Sequence, residues 1–329
     1  MSDGELRTNP FDGSRTLIAA GRRDRPGGGI TVDPLETIAP ETDPFLEGHE
    51  DRTPPEVDAD RPGGGRADGP GWVTRAVPNP FPLVVANASD PEPEAQPQLF
   101  GATPAEGEHE VIIQSPRPVV SLSQLEPGEV ERVVAMWQRR LRAHAGAAAR
   151  HLLVNERPRS GASQPHTHAQ LVTFPTVPAV MARERERAEA YSQQTMGANL
   201  TSDYLQEEVR RRVRIVAVAD DAVILAPFAS RAAYHLTIIP RTSALRFEDQ
   251  PDGAGGAALH DALRRLAARF GAPPPVNLWV RTAVSGAERT SWRIEIVPAL
   301  TQPGGVELGA GTDVATVSPE QAADELRRL

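Results

Sequence analysis

The chain has neither cysteine nor lysine among its 329 residues, and each absence removes a class of chemistry. Without cysteine there is no disulfide framework, no thiolate nucleophile and no thiolate zinc site. Without lysine there is no P-loop lysine and no Schiff base; all 35 basic residues are arginine. Long apolar runs are also missing, since no window approaches the roughly 20 residues that cross a bilayer. Met1 to Thr8 is polar and lacks the apolar stretch of a signal peptide. The expectation is a cytoplasmic protein with no membrane partner. A net charge of −9 argues against a nucleic-acid partner, because such proteins concentrate cations against polyphosphate. Covalent chemistry, if present, is left to His, Ser, Asp or Glu.

The length allows two core-bearing units. Residues 22 to 72 and 88 to 108 are dense in Pro and Gly or polar residues and read as loops. Val130, Val133, Val134, Trp137 and Leu141 recur at helical spacing and predict an amphipathic helix from Gly128 to about Ala147. His151 to Val154 and Gln164 to Phe174 read as strands separated by a polar loop, and Pro178 to Arg212 as one or two exposed helices. Strands near 213–218, 222–226 and 234–239 follow. A helix over 257–270 and strands over 276–281 and 292–297 come next, and a capping box of Ser318, Pro319 and Gln321 opens a last helix. Strands, helix, strands, twice over, predict an α+β duplication of two mostly antiparallel sheets with flanking helices, divided into 1–195 and 196–329.

The chemically informative stretch runs from Ser160 to Gln170. On a strand, positions i, i+2 and i+4 share a face, so His166, His168 and Gln170 are expected to line one site. A neutral imidazole is a good nucleophile towards phosphorus and, protonated, a good leaving group. A neighbouring amide holds a phosphoryl oxygen. Gly161, Ala162 and Ser163 offer backbone amides and a hydroxyl to phosphate as a small nest. His-x-His by itself is more often a surface pair or an accidental metal ligand than a nucleophile, so the reading depends on its surroundings.

Those surroundings resemble the galactose-1-phosphate uridylyltransferase branch of the histidine-triad superfamily. The matching motifs run in order through Asn9-Pro10-Phe11-Asp12-Gly13, Arg22-Arg23-Asp24-Arg25-Pro26, Gly48-His49-Glu50, Val77-Pro78-Asn79-Pro80-Phe81-Pro82 and His109-Glu110-Val111-Ile112. They continue through Asn155, the block Gly161 to Gln170, Gly304-Gly305-Val306-Glu307-Leu308-Gly309 and Pro319-Glu320-Gln321-Ala322-Ala323. The resemblance implies a duplicated histidine-triad-like fold in which His168 attacks the α-phosphorus of a nucleotide sugar. A nucleotidyl-histidine forms, a sugar 1-phosphate leaves, and a second phosphate takes the nucleotidyl group. It implies that Gln170 holds the transferring oxygen, and that Ser163 and Gly161 belong to the phosphate loop. Arg22, Arg25, Asn79 and Asn155 then contact nucleotide or phosphate, Glu307 accepts from a sugar hydroxyl, and Val306 stands in the sugar pocket where many relatives carry an aromatic. Each of these has an ordinary reading as loop charge, turn former or surface carboxylate. Their joint order favours the functional one.

Two features of the family are altered. Typical relatives bind zinc through a Cys-x-x-Cys pair, a later His and the first His of His-x-His; here those positions hold Asp43, Leu46, Pro118 and His166. Leucine and proline side chains do not coordinate zinc. A second metal site, often His-Trp-His, reads Ser291-Trp292-Arg293, with Glu184 matching its carboxylate. The expectation is a metal-free protein without cofactor, its first loop held by packing of Phe45 and Leu46. The expected activity is transfer of UMP between a nucleotide sugar and a sugar 1-phosphate. The alternatives are a nucleotide-sugar phosphorylase or hydrolase acting for example on ADP-glucose, and a catalytically weak nucleotide-binding protein. A homodimer is implied by resemblance alone.

Overall fold

The computed structural model describes residues 4–24, 29–92, 96 and 99–329. The chain opens with β1 (Glu5–Thr8), β2 (Arg15–Ile18) and β3 (Asp58–Asp60). β4 (Thr74–Pro78), β5 (His109–Ile113), α1 (Pro127–Ala143), β6 (Ala149–Glu156) and β7 (His168–Phe174) complete the first half. Two helices, α2 (Ala179–Gln194) and α3 (Leu200–Arg211), lead to β8 (Ile215–Val218), β9 (Ala222–Leu225) and β10 (Leu236–Pro240). After them come α4 (Gly256–Phe270), β11 (Val276–Arg281) and β12 (Arg293–Pro298). α5 (Gly305–Ala310), β13 (Thr312–Ala315) and α6 (Pro319–Arg327) close the chain.

Among the described residues, ten strands form one sheet in the order β3-β4-β5-β7-β6-β11-β12-β10-β9-β8. All its pairings are antiparallel. The α+β class and the duplication are evident in this order. β3-β4-β5-β7-β6, with α1 between β5 and β6, has the same connectivity as β8-β9-β10-β12-β11, with α4 between β10 and β11. Where two separate sheets were expected, one per half, β6 and β11 pair edge to edge with Asn155 opposite Asn277, so the halves share a single sheet. Joining two half-sheets removes two bare edges at once. A second, three-stranded sheet, β1-β2-β13, is built from the two ends of the described chain.

α1 begins at Pro127, where the missing N–H costs nothing, and Glu129 bonds the Glu126 N–H. Val130, Val133, Val134, Trp137 and Leu141 are buried, as their spacing predicts. α1 and α4 cover one face of the large sheet, meeting Ile112, Leu152, Val154, Ala169, Leu171, Leu278 and Ile294 in one core. The helices approach closely at Gly256, where an added Cβ would lie 2.9 Å from the Glu131 Cα. The capping box at Ser318 is half formed. Its side chain accepts from the Gln321 N–H, but the Gln321 amide turns to Glu325. Among the described residues no helix is long and apolar enough to cross a membrane.

Candidate active site

Ala169 and Leu171 of β7 are buried against the helices, so alternation puts His168 and Gln170 on the opposite face. His166 does not share the strand: β7 starts at His168, and His166 lies in the approach to it. Pro165 has no N–H to offer a ladder, which delays the strand. The three-residue row expected from spacing is therefore two strand residues plus a buried histidine held by other contacts. Phe45 lies beside both rings, its centroid 5.2 Å from His168 and 6.1 Å from His166.

The His168 Nδ1 lies 2.8 Å from the His166 carbonyl oxygen. A carbonyl only accepts, so the proton sits on Nδ1 and the Nε2 lone pair is free. Nε2 has no hydrogen-bond partner among the described residues. Burial pushes the His168 pKa below its ordinary value, aided by His166 and opposed by the carbonyl bond. The ring is thus neutral, single-tautomer and nucleophilic at neutral pH.

Gln170 is held from the side. Its Oε1 lies 3.0 Å from the Nε2 of His109 on the neighbouring β5, and the His109 Nδ1 accepts from the Leu83 N–H at 3.0 Å. Asn79 lies against the same ring, 3.1 Å from its Nε2, with its Oδ1 occupied by the Phe81 N–H. His109 stood in a matched motif, but neither its role nor that of Leu83 was read from sequence.

His166 is fully buried. Its Nδ1 lies 2.7 Å from the Asp43 carboxylate and its Nε2 2.9 Å from the Ser115 carbonyl. Both neighbours are acceptors, so the ring donates from both nitrogens. Burial by itself would raise the Asp43 pKa, yet the bond and charge of His166 hold it below the usual carboxylate range. The family zinc does not fit here. Leu46 and Pro118 offer no donors, and Asp43 and His166 spend theirs on each other. The first loop, expected to be held by packing of Phe45 and Leu46, is anchored by this pair and by the His49 Nδ1 on the Asp43 carbonyl as well as by Phe45.

The second metal position does not fit either. Glu184 does converge on Arg293, 2.8 Å away, and on Arg281 at 3.2 Å. Arg293 also bonds Glu295 at 2.6 Å and stacks over Phe11 at 4.4 Å. A guanidinium occupies the reach of the carboxylate that a metal would need.

The loop after β6 is closed by its own backbone. Gly161, at φ +93°, gives its N–H to the Pro158 carbonyl, and Ala162 gives its own to the Arg157 carbonyl. Those amides close a turn, so a phosphate contact through them has to displace these two bonds. Short loops close on their own carbonyls unless a ligand competes. Ser163 is exposed, its hydroxyl without a partner among the described residues. The Asn155 Oδ1 accepts from Asn277, which also donates to the Ser160 carbonyl, so Asn277 fixes both Asn155 and the turn. Arg157 ties the loop to Glu36 and to the Asp33, Pro34 and Pro273 carbonyls. Asn277 and Arg157 escaped the sequence reading because nothing local marks a contact more than 100 residues away.

Arg22, Val306 and Glu307 gather elsewhere, in a cleft of about 320 Å³ bounded by β2, β13 and residues 301–307. The Glu307 carboxylate caps the Gly304 N–H. Arg25 lies outside the described residues. No described contact joins this cleft to His168. The small sheet packs on the Phe228–Ala229 segment ahead of β10. β10 is four strand steps from β7, on the order of 19 Å across the sheet.

A buried histidine whose Nδ1 is held by a carbonyl, an amide two residues on and a duplicated antiparallel sheet fit a histidine-triad-type nucleotidyltransferase. The family profile "Galactose-1-phosphate uridyl transferase, N-terminal domain" matches residues 5–178, more than half of the chain, which belongs to that family. The chain is similar to an ADP-glucose phosphorylase of Arabidopsis thaliana, 25% identical over 345 residues, covering 99% of this chain and 93% of that one. It is also similar to a galactose-1-phosphate uridylyltransferase of Haemophilus influenzae, 26% identical over 267 residues, covering 76% and 75%. A crystal structure of the Arabidopsis phosphorylase with bound ADP-glucose superposes with a TM-score of 0.81 at 24% identity, covering 100% of this chain and 99% of that one. The chain is an enzyme of nucleotidyl transfer or phosphorolysis.

Proposed function

We propose that the chain moves a nucleoside monophosphate, UMP in the first reading, between a nucleotide sugar and a sugar 1-phosphate through a nucleotidyl-His168. The carrying observation is the His168 Nδ1 to His166 carbonyl bond, which leaves Nε2 as a neutral nucleophile. Nε2 attacks the α-phosphorus, the Nε2–P bond forms, and the bond from phosphorus to the bridging oxygen breaks. The sugar 1-phosphate leaves with both electrons of that bond. Nδ1 keeps its proton, so the positive charge of the nucleotidyl-imidazolium rests against the carbonyl. A second phosphate oxygen then attacks phosphorus and expels neutral His168. Gln170 donates to the transferring oxygen, which becomes more negative in the transition state.

A second reading has ADP-glucose as donor and orthophosphate as acceptor. The likeness to the Arabidopsis phosphorylase, which spans nearly the whole of both chains, favours it. The same histidine serves either. The activity is proposed to be metal-free, supported by the unsuited donor sets at both family metal positions. Ser163 is proposed to contact phosphate, and Arg22 and Glu307 nucleotide and sugar. Since that cleft lies apart from His168, a cytoplasmic homodimer in which one copy's cleft faces the other copy's His168 completes the site. The test is intact-protein mass spectrometry of metal-free wild type mixed separately with UDP-sugars and with ADP-glucose, then quenched in alkali. A UMP or AMP adduct on His168 supports the mechanism and names the base. No adduct with any donor sinks it.

A further inference from the structure

We infer that His109 is a positioning residue that fixes which end of the Gln170 side chain faces the transferred phosphoryl group. This rests on the reading of His168 as nucleophile. An amide is nearly symmetrical in shape but opposite in polarity at its two ends. Turned one way, Gln170 offers N–H donors to an anionic oxygen; turned the other, it offers a carbonyl that repels it. Gln170 stands two residues from His168 on the same face of β7, so this choice bears directly on the reacting phosphorus.

The hydrogen-bond chain around His109 admits one solution. The Leu83 backbone N–H can only donate, and it points at Nδ1 from 3.0 Å. Nδ1 therefore carries a lone pair, and the proton of the neutral ring sits on Nε2. Nε2 then requires an acceptor, and the Gln170 Oε1 lies 3.0 Å away. A flipped Gln170 would set its NH2 against this N–H, donor to donor. The Asn79 amide nitrogen also lies 3.1 Å from Nε2, its own Oδ1 taken by the Phe81 N–H, and competes with the Gln170 Oε1 for that ring nitrogen; the Leu83 N–H on Nδ1 decides for Gln170. Burial lowers the His109 pKa despite the Gln170 bond, which keeps the ring neutral, as the Leu83 contact demands. The Gln170 amide N–H groups are left without a partner among the described residues. The direction of one backbone N–H is thus relayed through the imidazole to the amide two positions from the nucleophile.

The test is rapid-quench measurement of nucleotidyl-enzyme formation at saturating nucleotide sugar. The proteins compared are wild type, His109→Phe, Gln170→Ala and the double variant. Phenylalanine keeps the ring volume and removes the relay. The expected result is a fall of about 10- to 100-fold in the rate of adduct formation for His109→Phe, with KM within threefold. The double variant should be no slower than Gln170→Ala, since a residue that acts through Gln170 has nothing left to orient. Independent losses that multiply, or a loss confined to KM, overturn the inference while leaving the His168 adduct intact. A wild type that forms no adduct overturns the underlying reading as well. Nitrogen-15 spectra of the unaltered protein give a readout that does not depend on any variant folding: His109 is expected as the Nε2–H tautomer, and an Nδ1–H tautomer overturns the inference.

Discussion

β7 and β12 occupy corresponding places in the two halves of the sheet, each between the strand before and the strand after its half's buried helix. Both carry two polar residues, two apart, on the face away from the helices: His168 and Gln170 on β7, Arg293 and Glu295 on β12. Each pair receives a histidine nitrogen at 3.0 Å, from His109 in the first case and His235 in the second. There the likeness ends. On β12 burial alone would raise the Glu295 pKa, but His235 and Arg293 push it well below the usual range, and Glu184 and Glu295 hold the buried Arg293 charged. On β7 the Nε2 of His168 and the amide N–H groups of Gln170 are left without partners among the described residues. A fully paired copy of the motif is a strut. The copy with its donors and lone pair unspent is the one that the proposed mechanism puts to use.

The comparison breaks most sharply at His168. His168→Asn is expected to lower transfer by on the order of 10⁴-fold or more, with an unchanged melting profile, because it removes the nucleophile and keeps a polar side chain of similar reach. His168→Gly should regain activity with a nucleotidyl-imidazolide supplied in solution. Near-wild-type turnover by His168→Asn would mean that another group attacks phosphorus. Because burial lowers the His168 pKa, the neutral ring persists as the solution is acidified, and the acid limb of the adduct-formation rate is expected below pH 6.5.

The matching change in the other half should do the reverse. Arg293→Ala leaves Glu184 and Glu295 buried with less compensation, and is expected to cost about 3–5 kcal/mol in denaturant unfolding. Adduct formation per folded molecule should stay within a few-fold of wild type. If Arg293→Ala instead stopped adduct formation in protein that remained folded, β12 would belong to the site and the contrast would fail.

The pattern of residues made one side of this comparison legible and hid the other. His168 and Gln170 stood out because their flanking motifs run in family order, and α1 because Val130, Val133, Val134, Trp137 and Leu141 share a helical face. The duplication was legible as a repeated order of elements, whereas the pairing of β6 with β11 was not, since strand partners leave no local mark. His166 looked like a companion of His168, yet its partner Asp43 is 123 residues away and turns it into a buried anchor. The Gly161 and Ala162 amides looked like a phosphate cradle, but whether an N–H faces a ligand or its own turn depends on backbone angles that composition does not encode. β13 was missed because four residues in a Gly-rich stretch carry too little periodicity.

A smaller effect tests whether the first half is as well compensated as the second. Glu156, at the end of β6, is completely buried, with Oε1 accepting from the Leu122 N–H and sharing the Thr167 hydroxyl with the closer Gln114, Ser121 beside the carboxyl and Oε2 unpartnered. Arg157, whose charge favours the ionised form, is engaged by Glu36. Burial therefore prevails over these hydrogen bonds and pushes the carboxyl up from 4.5 to about 7, the opposite of Glu295. A folded pKa raised above the unfolded one means that the native state binds the extra proton. Its stabilisation is full below about pH 4.5 and is lost as the pH rises through about 7. Glu156→Gln keeps the acceptor oxygen and never ionises, so it is expected to stabilise the protein at pH 8 by about 1–3 kcal/mol, with the gain shrinking towards zero near pH 5. The measurement is the denaturant midpoint of both proteins at the two pH values. A gain that does not depend on pH would trace the effect to packing instead, and a loss at pH 8 would show that the ionised Glu156 has a partner that the Leu122 and Thr167 contacts do not account for.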